Sequence, residues 1–127
     1  MATLGMITLV VDDYDTAIQH YVNDLGFTLV EDTPLGEGKR WVVVEPGPGG
    51  ARLLLAPATT AAQRAAIGSP AGGRVAFFLY TDDFDADYER FRAGGVTFEG
   101  PVRDEVYGKV VVFADAYGNR WDFIQRR

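Results

Sequence analysis

The sequence contains no cysteine and only one histidine, His20, among its 127 residues. Without cysteine, a disulfide framework and thiolate metal sites are both excluded. No apolar run approaches the roughly 20 residues that a membrane-spanning helix needs. The first residues, Met1 to Gly5, also lack the basic and then apolar segments of a signal peptide. We therefore expect a cytoplasmic protein without a membrane partner.

The sequence also lacks a basic stripe. Its formal net charge is -6 at pH 7, and its 18 acidic and 12 basic residues are interspersed. A nucleic-acid partner is not expected, because such binders need clustered positive charge to neutralise phosphates. The composition, 47% hydrophobic and 24% charged, is typical of a globular chain. The length fits a single domain over residues 1–127 with a real core.

An internal repeat is the most informative feature present. The segment Asp12-Asp13-Tyr14-Asp15 returns seventy residues later as Asp82-Asp83-Phe84-Asp85. An apolar run precedes each segment and a glycine step follows it. The second halves of the repeat also match, with Val42–Val44 aligned to Val110–Val112 and Gly50–Leu54 aligned to Gly118–Asp122. Chance similarity of apolar runs accounts poorly for the paired acidic segments, so the pattern favours duplication.

Each copy is predicted to form strand–helix–strand–strand–strand. Asp13 or Asp15 can cap the first helix, because a carboxylate accepts hydrogen bonds from free backbone N–H groups. Apolar residues at helical spacing then predict one buried face per helix. In the first helix these are Ile18, Tyr21, Val22 and Leu25, and in the second they are Phe84, Tyr88 and Phe91. The predicted strands are Ile7–Val11, Thr28–Asp32, Arg40–Glu45, Ala51–Ala56, Val75–Leu79, Thr97–Glu99, Lys109–Phe113 and Arg120–Gln125.

These elements predict an α+β fold. Module one covers about residues 4–57, a connector with a short helix (Thr59–Ile67) covers 58–73, and module two covers about 74–127. One four-stranded sheet with one helix covers only one of its two faces. Two such modules, paired into a curved eight-stranded mixed sheet with the helices outside, would enclose a ligand cleft on the inner face.

The chain resembles the glyoxalase/bleomycin-resistance/dioxygenase superfamily, also called vicinal oxygen chelate. The resemblance rests on the first strand with its Asp-Asp-Tyr-Asp element, and on Phe113 to Asp122, which is similar to the family's closing "F-x-D-P-x-G-N-x-x-E" hairpin. It covers essentially the whole chain and implies a duplicated βαβββ fold. Members include glyoxalases, extradiol dioxygenases, epimerases, fosfomycin-modifying transferases and antibiotic-sequestering proteins, so the fold alone does not choose the chemistry.

The resemblance also implies four metal-binding positions, which carry His or Gln on the first strand of each module and Glu on the last. In this sequence they fall on Met6, Ala76, Leu54 and Asp122. Only Asp122 is a suitable ligand for a divalent ion, and one carboxylate does not retain a catalytic metal. His20 lies about two residues from Ile18 on its helix, which predicts a solvent-exposed side chain rather than a ligand. We therefore expect no metal and no cofactor.

Strand alternation predicts which residues share the cleft with these four positions. Asp122 is the best candidate for a catalytic group, as a general base or cation anchor; alternatively, it is paired with Arg120 or Arg74. Tyr107, in a turn, either closes over the pocket or is a plain turn residue. Trp41 and Trp121 are the two largest anchors, each with core packing as the alternative. The predicted ligand-binding set is Met6, Thr8, Trp41, Arg52, Leu54, Arg74, Ala76, Phe78, Tyr107, Arg120 and Asp122.

Three functions remain open. The leading hypothesis is a small-molecule binding protein, expected to form a homodimer, that sequesters an antibiotic-like or aromatic ligand without the usual metal centre. The alternative is a lyase, isomerase or dioxygenase of the same superfamily with a non-standard metal or a metal-free site. The third is an interaction module whose cleft is filled by side chains.

Overall fold

Each half of the chain forms its own four-stranded mixed sheet. The computed structural model describes all residues, 1–127. They divide into two units, Met1–Ile67 and Gly68–Arg127. The first unit contains β1 (Met6–Val11), α1 (Tyr14–Ile18) continuing into a π-helical segment (Gln19–Asp24), β2 (Thr28–Gly36), β3 (Lys39–Glu45), β4 (Arg52–Pro57) and α2 (Ala61–Ala66). The second contains β5 (Phe77–Tyr80), α3 (Phe84–Ala93), β6 (Thr97–Glu105), β7 (Gly108–Ala114) and β8 (Arg120–Arg126).

The two sheets have the same topology. Their strand orders are β1-β4-β3-β2 and β5-β8-β7-β6. The first and last strands of each unit pair in parallel, and the remaining pairs are antiparallel. A helix follows the first strand in both units, as a crossover between parallel strands requires. The predicted α+β fold of two βαβββ modules is therefore confirmed. None of the helices is long and apolar enough to cross a bilayer.

In each unit the core lies between the helix and one face of the sheet. Asp13 caps α1 by accepting a hydrogen bond from the Thr16 N–H (2.8 Å), and Asp83 caps α3 by accepting one from the Ala86 N–H (3.3 Å). The buried residues of the first unit include Leu9, Val11, Ala17, Tyr21, Leu25, Phe27, Val42, Val44, Leu53 and Leu55. Those of the second include Phe84, Phe91, Val111, Phe113, Trp121 and Phe123. Trp121 thus packs in the core, against Phe113 and Phe77.

The π-helical segment changes which side chains of the first helix are buried. The Leu25 N–H donates to the His20 carbonyl (3.2 Å), five residues back, as in a π-helix. Residues four apart then share a face, so Ala17, Tyr21 and Leu25 are buried while Ile18 and Val22 are only half-buried.

The expectation that His20 is solvent-exposed is therefore wrong. Its side chain is only 11% exposed, and its Nδ1 lies 2.9 Å from Oδ2 of Asp24. Its ring lies edge-on to Tyr21, with the two centroids 5.0 Å apart. The prediction failed because it applied the α-helical period of 3.6 residues to a segment with wider turns.

Two strands are longer than the sequence predicted. β2 runs to Gly36 rather than Asp32, and β6 runs to Glu105 rather than Glu99. β3 pairs with β4 only through Val43 and Val44. The outer part of the β2–β3 hairpin, residues 33–41, is therefore a two-stranded ribbon. At its tip Glu37 (φ 56°) and Gly38 (φ 79°) both adopt the left-handed conformation of a tight hairpin turn.

Candidate functional site

The first unit contains a pocket of about 650 Å³ at the carboxyl ends of β1 and β4. This volume lies within the range of small-molecule sites, roughly 300–1,000 Å³. Its walls come from β1, β4, the β2–β3 ribbon, the start of α1 and the start of α2. The lining residues are Thr8, Val10, Tyr14, Glu37, Gly38, Lys39, Arg40, Trp41, Leu54, Leu55, Ala56, Pro57, Thr59 and Gln63.

The sequence favours a pocket in the first unit because its strand residues are small. Thr8 stands opposite Leu54, and Val10 stands opposite Ala56. Alternate residues of a strand share a face, so these four side chains line one surface. In the second unit the corresponding pairs are bulkier or charged, namely Phe78 with Asp122 and Tyr80 with Ile124. In the second unit the rings of Phe78 and Tyr80 thus occupy the positions that the smaller Thr8 and Val10 have in the first unit.

The same ladders correct the alignment of the two third strands. Val43 stands opposite Leu54, whereas Val112 stands opposite Asp122. Because Leu54 and Asp122 are equivalent, Val43 is equivalent to Val112. The sequence alignment of Val42–Val44 with Val110–Val112 is therefore displaced by one residue. A run of identical valines contains no information that fixes its register.

Trp41 forms a wall of the pocket and is 37% exposed. It lies on the ribbon, where its backbone partner is Thr33 on β2. Its equivalent in the second unit is Val110, which is fully buried. An exposed indole beside small apolar residues offers a flat surface on which an aromatic ligand could stack.

Arg40, the neighbour of Trp41, attaches the ribbon to α1. The Tyr14 hydroxyl donates to the Arg40 carbonyl, and the Arg40 N–H donates to the same hydroxyl, each over 3.0 Å. The guanidinium forms ion pairs with Asp32 (2.7 Å) and Asp15 (2.9 Å). Hydrogen bonds from Arg40 hold the pKa of Asp32 below its ordinary value, and those carboxylates raise the pKa of Arg40.

The second unit repeats this arrangement with a different cation. The Nζ of Lys109 lies 2.6 Å from Oδ1 of Asp85 and 4.9 Å from the centroid of the Phe84 ring. The corresponding distance from the Arg40 guanidinium carbon to the Tyr14 ring is 5.0 Å. Phe84 lacks the hydroxyl that bridges both backbone groups of Arg40.

Asp122 lies on the face of the second sheet that also carries Phe78, Val112 and Arg120. Burial raises the pKa of Asp122, while the nearby charges of Arg103 and Arg120 oppose that rise. The predicted ion pair with Arg120 or Arg74 does not form. Arg120 instead donates to Glu99 (3.1 Å), reaching across its small β7 partner, Ala114.

The four metal positions implied by the family resemblance do not fit a metal ion. Met6 offers a thioether, Leu54 and Ala76 offer no donor atom, and Asp122 offers one carboxylate. No group of three or more His, Cys, Asp or Glu side chains is arranged to hold a metal. Divalent ions of the first transition row require several imidazole or carboxylate ligands.

The structure distributes the predicted site residues over both units. Thr8, Trp41 and Leu54 line the first-unit pocket, and Met6 and Arg52 are paired at the other end of the same strands. Phe78, Arg120 and Asp122 lie on the second sheet; Arg74 and Ala76 precede β5, and Tyr107 is in the β6–β7 turn and 52% exposed. Arg52 is already paired with Glu45 (2.9 Å).

Sequence reasoning missed the residues that the ribbon and the two helices bring to the pocket. Tyr14, Lys39, Arg40 and Gln63 were not among the predicted contacts. One signal was available, since Tyr14 is a tyrosine where the repeat has Phe84. Lys39 and Arg40 reach the pocket on the β2–β3 ribbon, whose length the sequence underestimated, and Gln63 reaches it from α2.

The fold and this pocket define a duplicated βαβββ protein with a small-molecule-sized cavity. Residues 3–123 match the model of the Glyoxalase/Bleomycin resistance protein/Dioxygenase superfamily, and the chain belongs to that superfamily.

Three similar proteins span nearly all of the chain. An uncharacterized protein of Shewanella frigidimarina (strain NCIMB 400) is 54% identical over 121 residues, which cover 94% of this chain and 90% of the relative. UcmS2 has a similar structure, with a TM-score of 0.83 at 28% identity and 98% of both chains covered. TnmS3, an antibiotic binding protein from Streptomyces sp. CB03234, gives a TM-score of 0.78 at 29% identity, with 100% of this chain and 98% of that chain covered.

Proposed function

We propose that this protein binds a flat aromatic or amphipathic small molecule, of the size of an antibiotic, in the first-unit pocket. The observation that carries the proposal is Trp41, whose half-exposed indole faces a pocket of about 650 Å³ with apolar strand residues. The similarity to TnmS3, which is an antibiotic binding protein, supports the same class of ligand. A homodimer and a cytoplasmic location remain predictions from the sequence.

The pocket combines apolar contact with few polar groups. Val10, Leu54, Ala56 and Pro57 supply aliphatic surface, which favours a ligand with a large apolar area. Among the polar lining residues, Arg40 is engaged by its two carboxylates. Lys39 lies at the rim and forms no ion pair within the protein, so it can meet an anionic substituent. The overall charge of -6 favours a cation at longer range.

Two tricyclic probes of opposite charge test the proposal. Isothermal titration with anthraquinone-2-sulfonate and with 9-aminoacridine measures affinity and charge preference together. We expect saturable binding of at least one probe, and loss of that binding in Thr8→Phe, which places a ring where the second unit has Phe78. Thr8 is exposed, so this substitution should leave the core intact. Absence of heat with both probes would contradict the proposal.

The reverse substitution, Phe78→Thr, is the matched control. It tests whether the predicted contacts of the second unit, namely Arg74, Ala76, Phe78, Tyr107, Arg120 and Asp122, take part in binding. Unchanged affinity in Phe78→Thr, together with lost affinity in Thr8→Phe, assigns binding to the first-unit pocket. Loss of affinity in Phe78→Thr would contradict the assignment of binding to the first-unit pocket.

A second candidate function, that of a lyase or isomerase, is favoured by Asp122. Burial raises the pKa of this carboxyl, which suits a proton-transferring group. Mass spectrometry of the molecule that copurifies with wild type and with Asp122→Asn tests the idea. A product in wild type and its precursor in the variant would indicate an enzyme. The same molecule in both would argue against catalysis by Asp122.

A further inference from the structure

We propose that Arg40 is a positioning residue, whose contacts with α1 and with Asp32 hold the β2–β3 ribbon so that Trp41 stands in the pocket wall. This inference rests on the proposed function of the first-unit pocket. Arg40 lies on the rim of the pocket and would affect ligand binding through its neighbour Trp41.

The ribbon needs such an attachment because it has little support from the sheet. Only Val43 and Val44 of β3 pair with β4. Residues 33–41 therefore depend on a single β2–β3 ladder, and an isolated two-stranded hairpin is marginally stable in water. The ladder also contains two register shifts, between Leu29 and Glu31 and between Pro34 and Gly36.

All of the described attachments between the ribbon and α1 meet at one residue. Both backbone polar groups of Arg40 bond to the Tyr14 hydroxyl, and its guanidinium reaches Asp15 beside that tyrosine. The same guanidinium grips Asp32 on the neighbouring strand through two hydrogen bonds, from Nε (3.0 Å) and Nη2 (2.7 Å). Paired hydrogen bonds of this kind fix orientation as well as distance.

Trp41 is coupled to this attachment by the strand geometry. Successive side chains of a strand point to opposite faces of the sheet. Since the side chain of Arg40 points toward α1, the side chain of Trp41 points away from α1. A rotation or displacement of the ribbon at Arg40 would therefore move the indole by a similar amount. Ligand contacts are sensitive to shifts of about 1 Å in such supporting residues.

The second unit provides an internal comparison. Lys109 is equivalent to Arg40 and keeps both the ion pair and the ring contact. However, β7 pairs with β8 along its whole length, from Gly108 opposite Arg126 to Ala114 opposite Arg120. The next residue, Val110, is fully buried. Pairing with β8 therefore positions β7 independently of Lys109, and the neighbour of Lys109 has no exposed side chain that a ligand could contact.

The experiment compares Arg40→Met with Lys109→Met in the full-length protein. Both substitutions remove a cation that contacts an aromatic ring and an aspartate, so both should lower stability slightly. We expect the Kd for the tricyclic probe bound by wild type to rise about tenfold in Arg40→Met and to stay unchanged in Lys109→Met. Arg40→Lys keeps the charge without the paired hydrogen bonds, so it should give an intermediate rise in Kd. This variant still tests the inference if Arg40→Met misfolds.

Acrylamide quenching of tryptophan fluorescence, without any probe, gives a second readout. Trp121 is 2% exposed, so collisional quenching reports on Trp41. We expect quenching to change by about 1.5-fold or more in Arg40→Met and not in Lys109→Met, because a ribbon that has lost the guanidinium contacts to Asp15 and Asp32 alters indole exposure. If wild type binds neither probe, the proposed function fails while this measurement still tests the role of Arg40.

Two results would overturn the inference. One is wild-type quenching together with wild-type affinity in Arg40→Met. The other is an equal loss of affinity in Arg40→Met and Lys109→Met, because a general loss of stability would then explain both.

Discussion

The phenolic oxygen of Tyr14 is hydrogen-bonded to both backbone polar groups of Arg40, 26 residues further along the chain. For Arg40, the Tyr14 hydroxyl thus provides the backbone hydrogen bonds that a neighbouring strand would otherwise provide. The equivalent ring in the second unit, Phe84, has no hydroxyl and contacts Lys109 on β7, which pairs with β8 along its whole length.

Removing this hydroxyl should cost stability. In Tyr14→Phe the Arg40 N–H and carbonyl lose their side-chain partner, so we expect the free energy of unfolding to fall by about 1–2 kcal/mol. Urea denaturation followed by circular dichroism measures the change. Tyr88→Phe is the control, because the Tyr88 ring packs against Phe84 and Phe98 without a hydrogen bond from its hydroxyl. Equal effects of the two substitutions would contradict this account.

The buried carboxylate of Asp115 should be essential to the β7–β8 hairpin. It accepts hydrogen bonds from the backbone N–H groups of Tyr117 (2.9 Å) and Asn119 (3.0 Å), and from Nε1 of Trp121 (3.1 Å). In Asp115→Asn a donor replaces one of these acceptor oxygens, so we expect a loss of about 2–4 kcal/mol. Thermal unfolding of this variant is compared with Asp82→Asn, at an exposed aspartate, which should remain within about 0.5 kcal/mol of wild type.

Gly68 should not tolerate a side chain. Its φ is +79°, and a Cβ there would approach the Tyr117 carbonyl oxygen to 2.1 Å. Gly72 also has a positive φ, +65°, but its Cβ would meet nothing within 4 Å. We expect Gly72→Ala to cost about 1 kcal/mol through backbone strain alone, and Gly68→Ala to cost clearly more in chemical denaturation. A Gly68→Ala variant as stable as Gly72→Ala would show that the contact is easily relieved.

The ion pair between Asp32 and Arg40 should make stability fall in acid. Hydrogen bonds from Arg40 lower the pKa of Asp32 below its ordinary value. The contribution of the Asp32–Arg40 ion pair to stability is therefore complete above the ordinary pKa of an aspartate. It is lost as the pH falls through the lowered pKa that Asp32 has in the folded state. We expect the melting temperature of wild type to drop below about pH 4 more steeply than that of Asp32→Asn. Parallel acid limbs in the two proteins would exclude this contribution.

The fold could be predicted from the sequence because the strand–helix–strand–strand–strand pattern occurs in two copies. The repeated acidic segments, the apolar strands and the glycine steps each predict a local structure. Each copy of the repeat supports the elements predicted in the other copy. The lengths of β2 and β6 were underestimated because both strands are exposed and polar beyond Asp32 and Glu99, so hydrophobic alternation fades there. The π-helical turn around His20 has no such signal at all.

The candidate site was only partly predictable. Alternation on β1 and β4 correctly placed Thr8 and Leu54 on one face with Val10. The roles of Arg40 and Tyr14 depend on a contact across 26 residues, which sequence spacing does not encode. For Asp122, sequence reasoning expected an arginine partner, but Arg120 is paired with Glu99 on β6 instead.

Because side chains rather than pairing with β4 attach the β2–β3 ribbon to the rest of its unit, the shape of the cavity is separated from the integrity of the core. Exchanges at exposed positions such as Asp15 or Asp32 can tilt the indole without disturbing the packed face of the sheet. Under the proposed function, a few surface mutations that folding tolerates would shift the ligand preference of the pocket. Duplication adds a further margin, since the second copy maintains its own hydrophobic interior while the first one varies.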